Sequence, residues 1–352
     1  MAHVLYGVQG VGHGHALRSW PIIQRLRHHG HNVTIAASGK AQEFFTAAGE
    51  TVISLDGFNF VLGQKGELRY IKTLIATAKA FPRAGLHNSK VLSAAVKEHR
   101  PDIAVTDFEP FTALAAYRYR LPLVSIDNQH RITHCRLSVP RRLLADRLAA
   151  ATVIRTFIPR AKQYIVTSMV PLKPKLSFAK LAIVPPILRP EIEQVKPQVG
   201  KTIVVYMWQK YLDLAVPLFK QFPQQQFIVY GSAAISEEGN VSLRGFDSKN
   251  IISELANCSG VIGGGGFTFL SEALALGKPA LIWPQPGQFE QMVNGLDLSR
   301  AGCAMLTEEL TADDIAVFLQ QRSTYAAAVA KLHWSSQVQI LDNIVNLITK
   351  VL

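Results

Sequence analysis

Twice in this chain a short apolar run ends in a glycine-rich turn that leads directly into an amphipathic stretch. The first instance is Val4-Leu5-Tyr6 followed by Gly7-Val8-Gln9-Gly10-Val11-Gly12-His13-Gly14-His15. The second is Gly260-Val261-Ile262 followed by Gly263-Gly264-Gly265-Gly266 and then Phe267-Thr268-Phe269-Leu270. Strand, glycine turn and helix in that order are the opening of a parallel βαβ unit. Two such openings, more than 250 residues apart in a 352-residue chain, predict two α/β domains.

The remaining apolar runs fit this frame. Strands are predicted over 3–8, 33–37, 103–106, 123–126 and 163–166, with helices over 16–28 and 86–99. A proline cluster, Pro185-Pro186 with Pro190 and Pro197, suits neither a helix nor a central strand. The alternation then resumes, with strands over 202–207, 227–230, 260–262 and 280–283 and helices over 212–221, 250–256 and 269–276. The predicted organisation is a first Rossmann-like domain over 1–184, a linker over 185–200 and a second Rossmann-like domain over 201–330. A helix within 331–352 is expected to pack back on the first domain. The two parallel sheets are expected to face a central cleft, with ligands beyond the carboxyl ends of the strands.

The first glycine loop does not match a dinucleotide fingerprint. From Gly10-x-Gly12 the third glycine falls at His15, and no acidic residue ends the second strand. No Walker loop is present either. Histidine at a helix start, near neutral pH, suits a general base, and both His13 and His15 are candidates. Asp107 ends a buried strand on the same sheet edge. It either orients the histidine or caps the following helix.

The second loop reads as a phosphate cradle of backbone amides at a helix N-terminus. Thr268 and Glu272 are four residues apart on one helix face. Thr268 can reach a phosphate, and the Glu272 carboxylate can accept from two vicinal ribose hydroxyls. Pro284-Gln285-Pro286-Gly287 then brings Gln288, Glu290 and Gln291 together, side chains suited to sugar hydroxyls.

This order and spacing resemble the GT-B glycosyltransferases, over the whole chain. The likeness is greatest to the branch that holds the lipid II-forming N-acetylglucosaminyl transferase, and to the wider UDP-glycosyltransferase superfamily. The resemblance implies transfer of a sugar from a nucleotide diphosphate, UDP by analogy, to an acceptor hydroxyl. It matches Gly14-His15 to the family's Gly-His, making His15 the base and Asp107 its partner. It matches Glu272 to the ribose glutamate, Glu290 and Gln291 to the donor-sugar pair, and Gly266 to the phosphate loop. It places Phe246 at the nucleobase. Where plant-type members carry a phosphate-binding histidine, eight residues before the glutamate, this chain has Gly264. The diphosphate then falls to Gly264, Gly265, Gly266, Phe267 and Thr268, with Arg18 in reach. Retaining members place a second glutamate at that position, so Gly264 implies inversion. Glu290 replaces the first of the two glutamines of the lipid II-forming branch, which counts against N-acetylglucosamine as the donor sugar. No Asp-x-Asp occurs, and no metal or other cofactor is expected.

The net charge of +12 calls for an acidic partner or a solvated basic face. Much of it lies between Arg131 and Lys180, with Leu143, Leu144, Leu148, Val153 and Ile154 interspersed. This suits an anionic membrane surface. Nucleic acid is not expected, because interleaved aromatics are lacking. Three scattered cysteines and an immediate first strand without a leader predict a cytoplasmic protein, peripheral at most to the inner face of the plasma membrane. A cell-envelope or lipid-linked acceptor and a soluble small-molecule acceptor both remain open. Other readings are a metal-independent sugar-nucleotide epimerase and a non-catalytic binder.

Overall fold

The computed structural model describes residues 1–57, 61, 70–175, 180–245 and 250–352, with backbone alone for 70–83. The described residues divide into two units. One holds residues up to Leu188 together with Ser335–Leu352, and the other holds Arg189–Trp334.

The first unit is built on seven strands: β1 (His3–Val8), β2 (Asn32–Ala37), β3 (Val52–Ser54), β4 (Ile103–Asp107), β5 (Leu123–Asp127), β6 (Gln163–Thr167) and β7 (Leu181–Val184). They lie in the order β3-β2-β1-β4-β5-β6-β7, all parallel. Val4, Leu5, Tyr6 and Val8 are all buried, as expected of a central parallel strand covered on both faces. The covering helices are α1 (Gly14–His28), α2 (Gly39–Ala47), α3 (Tyr70–His99), α4 (Pro110–Tyr119), α5 (Arg131–His134) and α6 (Leu144–Phe157).

Chain direction across this sheet reverses between β1 and β4, where Val8 pairs with Asp107. At such a reversal the loops leave in opposite directions and open a crevice at the carboxyl ends of the strands. The first glycine loop and Asp107 both sit there. Gly10 is required by close packing: a Cβ on it would stand 2.1 Å from the Ser38 carbonyl oxygen. Gly12 takes the left-handed conformation, with φ of 71°.

The second unit begins with α7 (Pro190–Gln194) and carries β8 (Thr202–Tyr206), β9 (Gln226–Tyr230), β10 (Ser236–Glu238), β11 (Val241–Arg244), β12 (Cys258–Gly263), β13 (Ala280–Ile282) and β14 (Ala304–Leu306). Their order is β10-β11-β9-β8-β12-β13-β14, parallel except for β10 at one edge. The helices are α8 (Gln209–Phe219), α9 (Asn250–Ala256), α10 (Phe267–Ala275), α11 (Phe289–Arg300) and α12 (Ala312–Val329). Here the reversal falls between β8 and β12, and the glycine run leaves β12.

The last helix, α13 (Gln337–Thr349), returns to the first unit. A Ser336–Gln339 capping box starts it. Ile340, Ile344, Val345 and Ile348 enter the same core as Tyr6, Ile22 and Leu26, and Arg25 forks onto Asp342 at 2.6 and 2.7 Å. The proline cluster is drawn into the structure as well. Ile187 is buried in the first core, and the Gln337 side chain accepts from the Leu188 amide and donates to the Pro186 carbonyl. The boundary between units therefore falls between Leu188 and Arg189.

Candidate active site

In the first unit His15 stands in the opening turn of α1, and its Nδ1 lies 2.8 Å from Asp107 Oδ1. Asp107 is 1% exposed. It also accepts from Ser19 Oγ at 2.9 Å and from Arg18 Nε at 2.7 Å, with Arg18 Nη2 on its other oxygen. Arg18 Nη2 lies 2.9 Å from His15 Nδ1 too. Both are donors once Nδ1–H faces the carboxylate, so they share Asp107 Oδ1 rather than bond each other. Burial alone would raise the Asp107 pKa, but the charges of Arg18 and His15 outweigh it and hold the carboxyl below its ordinary value. A carboxylate on Nδ1–H leaves the His15 Nε2 lone pair as the basic site.

The local sequence enforces this geometry. Phe108 takes φ of 55°, in the left-handed region, and the Thr106 hydroxyl bonds both the amide and the carbonyl of Glu109 at 2.8 Å. The turn brings Glu109 to the start of α4, where its carboxylate accepts from the amides of Phe111 and Thr112. Glu109 is thus the helix cap, which leaves Asp107 to the histidine.

Two expectations are corrected here, that for Arg18 and that for part of the basic stretch. Arg18, expected within reach of a diphosphate, is 4% exposed and its guanidinium is spent on Asp107, with Nη1 3.4 Å from Asn128 Oδ1. His13 is a neighbour in the loop whose pKa is lowered by partial burial and by Lys40. In the basic stretch, Arg131, Val153 and Ile154 are buried in the fold and present nothing to a membrane. Leu144 and Leu148 are exposed, as are Arg136, Arg141, Arg142 and Arg155.

The next strand holds a second buried pair that the sequence reading passed over. Asp127 ends β5, beside β4, and accepts from the His130 amide at 2.8 Å and from Ser125 Oγ at 2.7 Å, with His130 Nδ1 also at 2.7 Å. Both residues are almost wholly buried, and His130 Nε2 is buried with no hydrogen-bond partner among the described residues. An acid at a strand end three residues before a histidine was the available signal. Burial works against ionisation of Asp127, yet the His130 charge and these bonds bring its pKa down to about 2.

His134 packs 5.1 Å from the His130 ring and 4.1 Å from that of Tyr164. Burial, then the charge of His130, lower its pKa to about 4. Because the folded value lies below the unfolded one, the unfolded chain binds more protons as pH falls from 6.5 to 4, and stability is lost across that window. From pH 7 to pH 4.5 we expect a loss on the order of 2–3 kcal/mol from this group. Urea titrations at the two pH values, in the wild type and in His134→Gln, check this, and the variant is expected to show a shallower loss.

In the second unit Gly263 ends β12 and Gly266 caps α10. Gly265 has φ of 94°, and a Cβ there would stand 2.8 Å from the Gln291 carbonyl oxygen. Asn294 Nδ2 donates to the Gly265 carbonyl at 2.9 Å. The glycine loop is therefore pressed against α11. Gly266 is exposed, Gly264 and Thr268 are half-buried and Phe267 is buried. Gln288 caps α11, with Glu290 in its first turn, where a carboxylate complements the helix dipole. Gln291 Oε1 accepts from the Gln285 amide at 2.9 Å, so this side chain also shapes the loop. Phe246 lies outside the described residues.

Glu272 is 3% exposed and forks onto Arg189, with Nε and Nη2 at 2.6 and 2.7 Å from its two oxygens. Burial raises its pKa, and Arg189 opposes the rise. Arg189 lies 83 residues upstream, in the segment read as linker, and no local pattern announced it. Among the described residues no three His, Cys, Asp or Glu side chains are gathered as a metal site would need. No described helix is long and apolar enough to cross a membrane.

Two seven-stranded, predominantly parallel sheets with helix-start loops at both reversal points define the GT-B class of fold. The chain belongs to glycosyl transferase family 1, which it matches over residues 2–322. It is 24% identical over 341 residues to an uncharacterized glycosyltransferase of Methanosarcina acetivorans, covering 89% of this chain and 87% of that protein. Among solved structures it resembles the glycotransferase of kitacinnamycin, with a TM-score of 0.71 and 17% identity over 100% of this chain and 99% of the other. It also resembles the Streptomyces sp. SF2575 glycosyltransferase SsfS6 complexed with thymidine diphosphate. That TM-score is 0.65 at 18% identity, covering 99% of this chain and 100% of the other. The protein is a glycosyltransferase that uses a nucleotide sugar. The epimerase reading is not favoured, since the family and the named relative are glycosyltransferases.

Proposed function

We propose that the protein is an inverting, metal-independent glycosyltransferase in which His15 takes the proton from an acceptor hydroxyl. The single observation that carries this reading is the His15 Nδ1 contact with buried, ionised Asp107, which fixes the tautomer and supports the imidazolium formed in the reaction. The attacking oxygen displaces the nucleoside diphosphate from the anomeric carbon. The loop Gly264-Gly265-Gly266 and the N-terminus of α10 stabilise the leaving charge. Gly264 has no side chain to act as nucleophile on the opposite face, which supports inversion. NMR of the product should show an anomeric configuration opposite to that of the donor; retention would overturn the mechanism. Turnover is expected to be unchanged by EDTA, and a loss restored by Mg²⁺ would count against a cofactor-free reaction.

The donor we infer is a UDP-sugar, with Glu272 accepting from the ribose hydroxyls and Glu290 and Gln291 reading the sugar. SsfS6 is complexed with thymidine diphosphate, whose deoxyribose lacks one of those hydroxyls. Calorimetric titration with UDP and with deoxy-TDP separates the two, and equal affinity would remove the ribose role of Glu272. For the acceptor we favour a cell-envelope molecule presented at the cytoplasmic face of an anionic membrane. The exposed arginines of 136–155 and Leu144 and Leu148 support this placement. Sedimentation with vesicles of phosphatidylcholine, with and without phosphatidylglycerol, tests it. Equal recovery in the supernatant from both would favour a soluble acceptor.

A further inference from the structure

The second half of α3, from Gly85 to Ser93, runs beside α4. Between them lies a cavity of about 530 Å³, within the roughly 300–1,000 Å³ of small-molecule sites. Its floor is apolar: Leu92 and Phe111 are buried, and Ala115 is 7% exposed. Small residues at Gly85, Ser89 and Ala115 leave the space unfilled. At its mouth stand Leu86, 77% exposed, and Leu114, 41% exposed, which carry the apolar lining out to the surface.

The other end of the cavity is polar and cationic. Ser93, Arg118 and Tyr119 line it. The Tyr119 phenol lies beside Ser93 and feels the charges of Arg118 and Lys97. The Arg118 guanidinium lies 5.9 Å from the Tyr119 ring centroid, held over its face. Among the described residues no carboxylate lines the cavity. An apolar slot with a cationic, hydroxyl-bearing end complements one kind of molecule, an aliphatic chain ending in an anion.

We propose that the cavity between α3 and α4 binds a single aliphatic chain bearing an anionic head, with the head on Arg118, Tyr119 and Ser93 and the chain along Leu92, Phe111 and Leu114. The site goes beyond the transfer reaction and does not depend on it. None of its residues belongs to the candidate active site.

The probes are alkyl phosphates from butyl to dodecyl, used below their micelle concentrations and titrated calorimetrically into the full chain. Each methylene buried should strengthen binding about fourfold until the slot is full, after which affinity levels off. Inorganic phosphate should not bind measurably. Leu114→Glu, at an exposed position that leaves the core intact, should weaken octyl phosphate about tenfold or more. Arg118→Glu should weaken octyl phosphate to a similar degree and leave octanol binding unchanged. Ala115→Trp, which fills the slot, should abolish both, with its thermal melt confirming that it folds. Affinity independent of chain length overturns the proposal, as does wild-type binding by Leu114→Glu. Phosphatidylglycerol vesicles identify the source of the chain. Retention on them that is lost in Leu114→Glu marks a membrane lipid, and monomer binding without retention marks a soluble amphiphile.

Discussion

Replacing His15 with alanine is expected to lower turnover by ~10²-fold or more, with the affinity for nucleotide sugar unchanged. The variant removes one half-buried imidazole and leaves the network below it intact. Asp107 keeps both bonds from Arg18 and the one from Ser19, so no buried charge loses its main partner. Binding is measured by calorimetry and turnover by release of nucleoside diphosphate. Wild-type turnover with donor bound would remove His15 as the base. Asp107→Asn is the companion. An amide at this position cannot carry the charge that supports an imidazolium, and one end of it presents donors toward Arg18 or His15. We expect a comparable fall in turnover together with lower stability. Asp107→Ala is less informative. It strands a guanidinium that is 4% exposed, and uncompensated buried charges destabilise by about 3–5 kcal/mol.

The parts of this site legible in sequence are those encoded locally. Gly14-His15 at a strand-to-helix turn announces its own placement, and Asp107 closes an apolar run whose burial could be read directly. The two were paired by topology, because neighbouring parallel strands put their carboxyl ends side by side. The same logic applied to β5 would have drawn attention to Asp127 and His130, one strand further on. What stayed hidden depends on distance in the chain. Arg18 carries no mark that distinguishes a guanidinium turned toward a ligand from one turned inward to Asp107. Glu109 was overlooked as a cap although Pro110 follows it, and proline at the first helical position is a start signal. Short edge strands such as β3, β10 and β14 have three residues each, too few for any periodicity to register. The basic stretch misled in part because composition counts charges without regard to burial: Arg131 sits in the interior and Arg141 on the surface.

Arg189→Met is expected to destabilise the second unit by about 3–5 kcal/mol at neutral pH, because it leaves the Glu272 carboxylate buried without its partner. The loss should shrink on acidification. With Arg189 gone, nothing opposes the burial that already raises the Glu272 pKa. A folded value above the unfolded one gives stability that is full at low pH and is lost as pH rises through the folded value. The variant should therefore gain stability relative to the wild type as pH drops from 8 toward 5, a window in which His134 makes both weaker. Glu272→Gln separates the structural part of the pair from its part in binding. If the carboxylate holds the ribose, this variant loses its preference for UDP over deoxy-TDP even under conditions where it is folded. If the carboxylate serves only Arg189, nucleotide affinity stays at the wild-type value while the melting temperature falls. The double variant Arg189→Met/Glu272→Gln removes both charges and should recover part of the stability lost in Arg189→Met, since an absent ion pair costs less than a broken one. No such recovery is expected in nucleotide affinity, because the acceptor for the ribose hydroxyls would still be missing. Stability that returns while affinity does not is the signature of a glutamate held in place by Arg189 in order to bind.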